Sequence, residues 1–200
     1  LIANLACECR MPLCYGGGVR TVEQFEKIIG LGVEKVAISA AAVTRPALIS
    51  DAAGRVGSQS VVVVMDVKRT GLLRRYEVVT HNGTQRTGHE PAEFARTAQD
   101  LGAGEIVVNS VDRDGQMSGY DLTLIAHVRD SVSIPITALG GCSSLGDMET
   151  LFATHGIIGA AAGSLFVFKW RYRAVLINYP NAEEKERVLA RAASTDAKTA

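Results

Sequence analysis

One nine-residue motif occurs twice in this chain, and it constrains the fold more than any other feature. Met-Pro-Leu-Cys-Tyr-Gly-Gly-Gly-Val at 11–19 returns as Ile-Pro-Ile-Thr-Ala-Leu-Gly-Gly-Cys at 134–142. Pro12 aligns with Pro135, Gly17 with Gly140 and Gly18 with Gly141; further on, Phe25 aligns with Met148 and Ile28 with Leu151. Each copy then ends on a small-residue strand, 36–40 against 160–164. Repetition on this scale marks a fold built from one repeated supersecondary unit. A further two-strand unit, Val61 to Asn109, lies between the copies. Symmetry asks for its partner ahead of Leu1, which makes eight strands where six are visible.

The six apolar runs are Met11–Tyr15, Val36–Ser39, Val61–Asp66, Ile106–Asn109, Ile134–Leu139 and Gly159–Ala162. Short continuous runs of this kind, separated by amphipathic stretches, read as buried parallel strands joined by crossover helices. Helices are expected from Thr21 (with Gln24 as a capping partner), from Arg45-Pro46, from Glu90-Pro91, and over Asp121–Val128 and Ser144–Phe152. Arg74–Thr80 reads as an added strand leading into the turn His81-Asn82-Gly83. The fold expected is α/β, a (βα)8 TIM barrel lacking its first two strand–helix units, roughly 60 residues. The chain opens on Leu1 rather than Met, as a truncated sequence would. An open doubly wound sheet needs no missing residues but leaves the duplicated turns unexplained. Residues 1–182 form the barrel domain in this reading, and 183–200 a C-terminal helix with a frayed tail.

A chain of 200 residues with 21 basic and 21 acidic side chains lacks the positive field that nucleic acid or an anionic membrane requires. No apolar run approaches the roughly 20 residues needed to cross a bilayer. Cys7, Cys9, Cys14 and Cys142 suit neither a disulfide framework nor zinc spacing, so reduced thiols, a cytoplasmic location and no metal are expected.

Barrel chemistry sits at the C-terminal ends of the strands. Those ends hold Gly16-Gly17-Gly18, Ser39-Ala40, Asp66, Asn109-Ser110 with Asp112–Gly115, Gly140-Gly141 and Gly163-Ser164. Glycines there let backbone N–H groups approach an anion, and two equivalent clusters point to a ligand with two phosphates. Asp66 is either a general acid/base at the barrel mouth or a partner for Lys68 or Arg69, and its strand-end place favours catalysis. Asp112-Arg113-Asp114-Gly115 either holds substrate or caps a turn. Lys35 and Glu105 begin their strands on the inward face, where they meet as a pair across the bottom opening or form a surface salt bridge. His81 and His89 read as exposed loop histidines, and Lys169–Pro180 as a helix packed on the barrel rather than a base-stacking platform.

Together, Gly16-Gly17-Gly18-Val19, Gly57-Ser58-Gln59, Asp66-Val67-Lys68-Arg69, Thr80-His81-Asn82-Gly83, Gly102-Ala103-Gly104-Glu105-Ile106, 110–115 and Ser118-Gly119-Tyr120-Asp121 resemble the cyclase subunit of imidazole glycerol phosphate synthase. The likeness runs from about Met11 to Phe168. It implies a (βα)8 barrel of histidine biosynthesis that closes an imidazole ring with ammonia from a docked glutaminase subunit. The implied substrate is a ribulosyl aminoimidazole carboxamide nucleotide with two phosphates, and no cofactor is implied. Asp66 becomes one of two catalytic aspartates; Gly18, Gly115, Gly140, Gly141, Gly163 and Ser164 take phosphate roles, with Ser39, Asp112 and Asp114 at the substrate. Lys35 and Glu105 become part of a charged ammonia gate.

Three departures qualify the likeness. The first-strand aspartate has no counterpart here, so this stretch alone is expected to be inactive. The family's Asn-Thr pair is Ser39-Ala40. The segment Lys169–Pro180 is similar to a paralogous branch linked to acetamidino-sugar synthesis for surface polysaccharides, in which the barrel passes ammonia to another enzyme.

Overall fold

The computed structural model describes residues 1–169, 174–175 and 177–196. In chain order the elements begin with α1 (Ile2–Glu8), β1 (Cys14–Gly16), α2 (Val22–Gly30), β2 (Lys35–Ile38), α3 (Ala40–Thr44) and α4 (Ala47–Val56). A 3₁₀ turn (Ser58–Ser60) leads into β3 (Val61–Thr70), β4 (Arg75–Thr80), β5 (Gln85–Arg86), α5 (Pro91–Asp100) and β6 (Glu105–Ser110). Then come α6 (Leu122–Arg129), β7 (Ile136–Leu139), α7 (Leu145–His155), β8 (Gly159–Ala160), α8 (Ser164–Val167), β9 (Phe168–Lys169), β10 (Ala174–Val175) and α9 (Ala182–Asp196).

The main strands neighbour one another in the order β1-β2-β3-β6-β7-β8, every pair parallel. Strict sequential order, with helical crossovers, gives a curled parallel half-barrel of the TIM type. A doubly wound sheet reverses its order at a switch point, and this one does not, so that alternative falls. The valines of β3 explain its central place. Val61, Val63, Met65 and Val67 point outward and are buried under helices, together with Val36, Ile38, Ile106 and Val108. Phe25, Leu48, Ile49, Phe94 and Leu124 meet them from α2, α4, α5 and α6. The alternate set (Lys35, Ala37, Val64, Asp66, Glu105, Val107, Asn109, Thr137) faces the concave side and is only partly covered.

Helix starts follow the local chemistry. Thr21 caps α2 through a full capping box with Gln24, and Ser144 does the same for α7 with Asp147. The Glu90 carboxylate accepts from the Glu93 N–H at 2.9 Å ahead of Pro91.

Several boundaries differ from the sequence expectation. The first strand starts at Cys14, not Met11, and β3 runs past Asp66 to Thr70 because β4 pairs with its extension. Helices α1 and α3 have no forecast. The described part of 169–180 is not a helix: Lys169 pairs with Ala174 in the antiparallel β9–β10 ribbon. Trp170 and Tyr172 lie outside the described residues. The C-terminal helix sets buried Val188 in the same cluster as Met148 and Leu151 of α7 and continues through Asp196, so the first three residues of the tail expected to fray, 194–200, are helical instead; 197–200 lie outside the described residues.

Candidate functional site

The ends of β1 and β2 and the middle of β3 bring the first glycine cluster, Ser39 and Asp66 to one cavity of about 750 Å³. Arg20, Thr44, Arg45, His81 and Asn82 also line it. Gly17 and Gly18 take φ angles of 117° and 75°, a region that favours glycine. The capping box consumes the next donors, since Arg20 N–H and Thr21 N–H both donate to Gln24 Oε1, at 2.7 and 3.2 Å. What remains facing the cavity is the turn itself, with the Arg20 and Arg45 side chains at its wall. Arg45 is paired with Asp51 at 3.2 Å and Asp66 adds a negative charge, so the suitability of this end for an anion rests on the glycine turn and Arg20.

Asp66 stands at the cavity floor. Its Oδ1 accepts the Asn109 side-chain N–H at 2.8 Å, and its Oδ2 faces the Ser39 hydroxyl at 3.5 Å. Both donors come from neighbouring strands, so sheet register fixes the carboxylate's orientation: Asp66 lies opposite Asn109 in the β3–β6 ladder. The rival expectation, a pairing with Lys68 or Arg69, does not form; the Arg69 guanidinium donates to Tyr76 instead. Asn109 Oδ1 is buried without a hydrogen-bond partner among the described residues. That orphan acceptor sits beside the carboxylate, and the sequence gives no signal for it beyond Asn109's strand-end position.

The remaining candidates lie outside this cavity. Asp112 accepts the Arg69 backbone N–H at 2.9 Å, which ties the 112–119 loop to β3, and Asp114 is exposed. Gly115, Gly140, Gly141, Gly163 and Ser164 follow along the rim over β6, β7 and β8. His81 is an exposed turn residue, as expected, that also lines the cavity, with φ at 53° and its ring nitrogen Nδ1 3.0 Å from Thr80 Oγ1. His89 stacks near Phe94 instead.

At the opposite end, Lys35 Nζ and Glu105 Oε2 meet at 2.5 Å, and the Thr137 hydroxyl donates to Glu105 Oε1 at 2.7 Å. The pair crosses the concave face over β3, the first of the two arrangements that the alternation left open. Glu105 is the better covered of the two, 16% exposed against 41% for Lys35.

The hairpin above β3 is held by charge. Glu77 accepts from Arg86, Thr70 and the Gly88 N–H, and the Arg86 contact leads in holding its carboxyl down to about 2. Burial pushes the Tyr76 hydroxyl up, so it remains a hydrogen-bond donor at neutral pH. Among the described residues no three His, Cys, Asp or Glu side chains group as metal ligands, and no helix is long and apolar enough to cross a membrane.

Residues 1–171 match the family described as histidine biosynthesis protein. The "Putative imidazole glycerol phosphate synthase subunit HisF" of Leptospira interrogans is 52% identical over 186 residues, spanning 93% of this chain and 73% of that protein. The chain belongs to the imidazole glycerol phosphate synthase cyclase-subunit family. The similarly named hisF3 protein of Vibrio vulnificus is 49% identical over 189 residues, covering 94% and 73% of the two chains. Imidazole glycerol phosphate synthase subunit HisF of Alkaliphilus metalliredigens is 46% identical over 159 residues, covering 80% and 63%. Cyclase-subunit membership accounts for the strand order and agrees with the likeness read from the motifs.

Proposed function

We propose that this chain is the cyclase subunit of an imidazole glycerol phosphate synthase, a lyase-type enzyme of histidine biosynthesis. It uses ammonia to convert the ribulosyl aminoimidazole carboxamide nucleotide into imidazole glycerol phosphate and aminoimidazole carboxamide ribonucleotide. One observation carries the reading: Asp66 and the turn Gly16–Gly18 share a single cavity. A bisphosphate substrate anchored by that turn presents its reacting carbons to the carboxylate. Closing the ring on ammonia demands proton removal from nitrogen and protonation of departing oxygen, which is general acid/base work for Asp66. The complementary aspartate belongs to a first strand, and the closed barrel of eight units is the form in which the reaction runs. The second phosphate falls along Gly115, Gly140-Gly141 and Gly163-Ser164.

The Lys35–Glu105 pair is the entry for ammonia in this reading, delivered by a glutaminase subunit docked at the strands' N-terminal ends in the cytoplasm. A charged pair on the axis, with the Asp66–Asn109 pair above it on the same faces of β3 and β6, supports a path up the concave side.

A second reading has its own support. Ser39-Ala40 replaces the family's Asn-Thr, and the Ser39 hydroxyl turns to Asp66, which thins the phosphate cradle. A thinner cradle fits a barrel that conducts ammonia without closing a ring, as in the acetamidino-sugar branch to which Lys169–Pro180 is similar. Intact protein supplied with ammonium and the ribulosyl nucleotide separates the two. Imidazole glycerol phosphate forms if ring closure is the function; silence at high ammonium transfers the assignment to the conducting role.

A further inference from the structure

Two rims of the site, the β4–β5 hairpin and the 112–119 loop, meet at one buried carboxylate. Asp121, 7% exposed, caps α6 by accepting the Leu124 N–H at 3.2 Å. The same Oδ1 accepts the Tyr76 hydroxyl of β4 at 2.9 Å. Two guanidiniums flank Oδ2, Arg69 at 3.7 Å and Arg113 at 3.8 Å. Arg69 also donates to the Tyr76 hydroxyl at 2.5 Å and lies 4.8 Å over its ring. On the loop side, Arg113 donates to the carbonyls of Ser118 and Gly119 at 3.1 and 3.0 Å.

A buried carboxylate is stable only when its lone pairs are engaged. Here the engaging groups come from β3, the hairpin, the loop and a helix start, so no one of them moves without exposing the charge to fewer partners. The hairpin carries His81 and Asn82 into the Asp66 cavity, while the loop places Gly119 against the second glycine turn. We propose that Asp121 and Tyr76 are positioning residues that lock the hairpin and the 112–119 loop into one rim, fixing the distance between the two phosphate-facing sides of the site. Neither residue touches the cavity. Their influence passes through the segments they hold.

Tyr76→Phe removes a single oxygen and leaves the packing intact. Amide hydrogen exchange then tests the coupling directly. Exchange accelerates about tenfold or more in both the hairpin and the 112–119 loop, the Gly119 N–H that donates to Gly141 O at 2.8 Å being the cleanest reporter, while α4 stays unchanged. Acceleration confined to the hairpin, or absent from both, overturns the proposal. A kinetic arm rests on the ring-closing reading. Tyr76→Phe and Arg113→Met each raise KM for the bisphosphate nucleotide with kcat nearly constant, and the double variant departs from the product of the singles by at least about twofold, because the two side chains share only Asp121. Strictly multiplicative effects, or a loss of stability with KM unmoved, refute the positioning role. Wild-type protein without turnover sinks the ring-closing reading instead, and the exchange result alone then decides the coupling.

Discussion

In the first copy of the repeat, Gly17 and Gly18 take φ angles of 117° and 75°; in the second, Gly140 and Gly141 take 94° and 95°. Both turns precede a capped helix, and both caps draw the two preceding N–H groups onto the third helical residue. The surroundings differ. A Cβ on Gly17 or Gly18 would meet nothing within 4 Å, whereas one on Gly141 would sit 2.3 Å from the Gly119 carbonyl and one on Gly140 2.6 Å from that of Ser110. The capping side chain is neutral Gln24 in the first copy and the carboxylate of Asp147 in the second. The two copies therefore share the turn, while its neighbours leave the Cβ side of the first copy open and pack that of the second.

Alanine at each turn breaks this comparison most forcefully. Gly141→Ala combines a left-handed backbone with a backbone clash, and costs about 3 kcal/mol or more of stability by chemical denaturation. Gly18→Ala meets open space, so only the backbone term of about 1–2 kcal/mol applies. Its larger effect falls on ligand: the methyl enters the cavity, and KM for the bisphosphate nucleotide rises more than tenfold. Equal stability losses at the two positions would erase the distinction.

Asn109→Ala sharpens the picture of the open side. It removes the 2.8 Å donor to Asp66, and turnover falls about tenfold with substrate affinity kept, as for one lost charge-assisted hydrogen bond. Wild-type turnover in this variant would leave Asp66 held by its register alone.

The smallest effect concerns pH. Glu77 titrates near 2 in the folded protein, below the roughly 4.3 of a free glutamate, so its contribution to stability is complete above that value and is lost as pH falls toward 2. Unfolding measured from pH 6 downward shows this loss, and Glu77→Gln flattens it.

Much of this was legible in the chain because it depended on local pattern. The valine run of β3 and the Thr21–Gln24 cap follow from period and residue type, and alternation puts Lys35 and Glu105 on the inward face while leaving their pairing across 70 residues open. The unforeseen parts depend on partners far apart in sequence. Tyr76 and Asp121 are 45 residues apart and Asp66 and Asn109 43, and nothing in their immediate neighbours announces the contact. The β9–β10 pairing was missed for the opposite reason, since the residues around it were read as helix and the antiparallel pairing decides otherwise. The repeat revealed both glycine turns but not which was open, since Gly119 and Ser110 lie outside it.

The central claim is that Asp66 works on a ligand held by the open turn. Ammonium-driven formation of imidazole glycerol phosphate by intact wild type and Asp66→Asn, measured beside the affinity of each for the bisphosphate nucleotide, tests it most directly. Affinity stays unchanged in Asp66→Asn and turnover falls at least about a hundredfold, the scale of a lost general acid/base. Turnover by Asp66→Asn within a few-fold of wild type would contradict that claim.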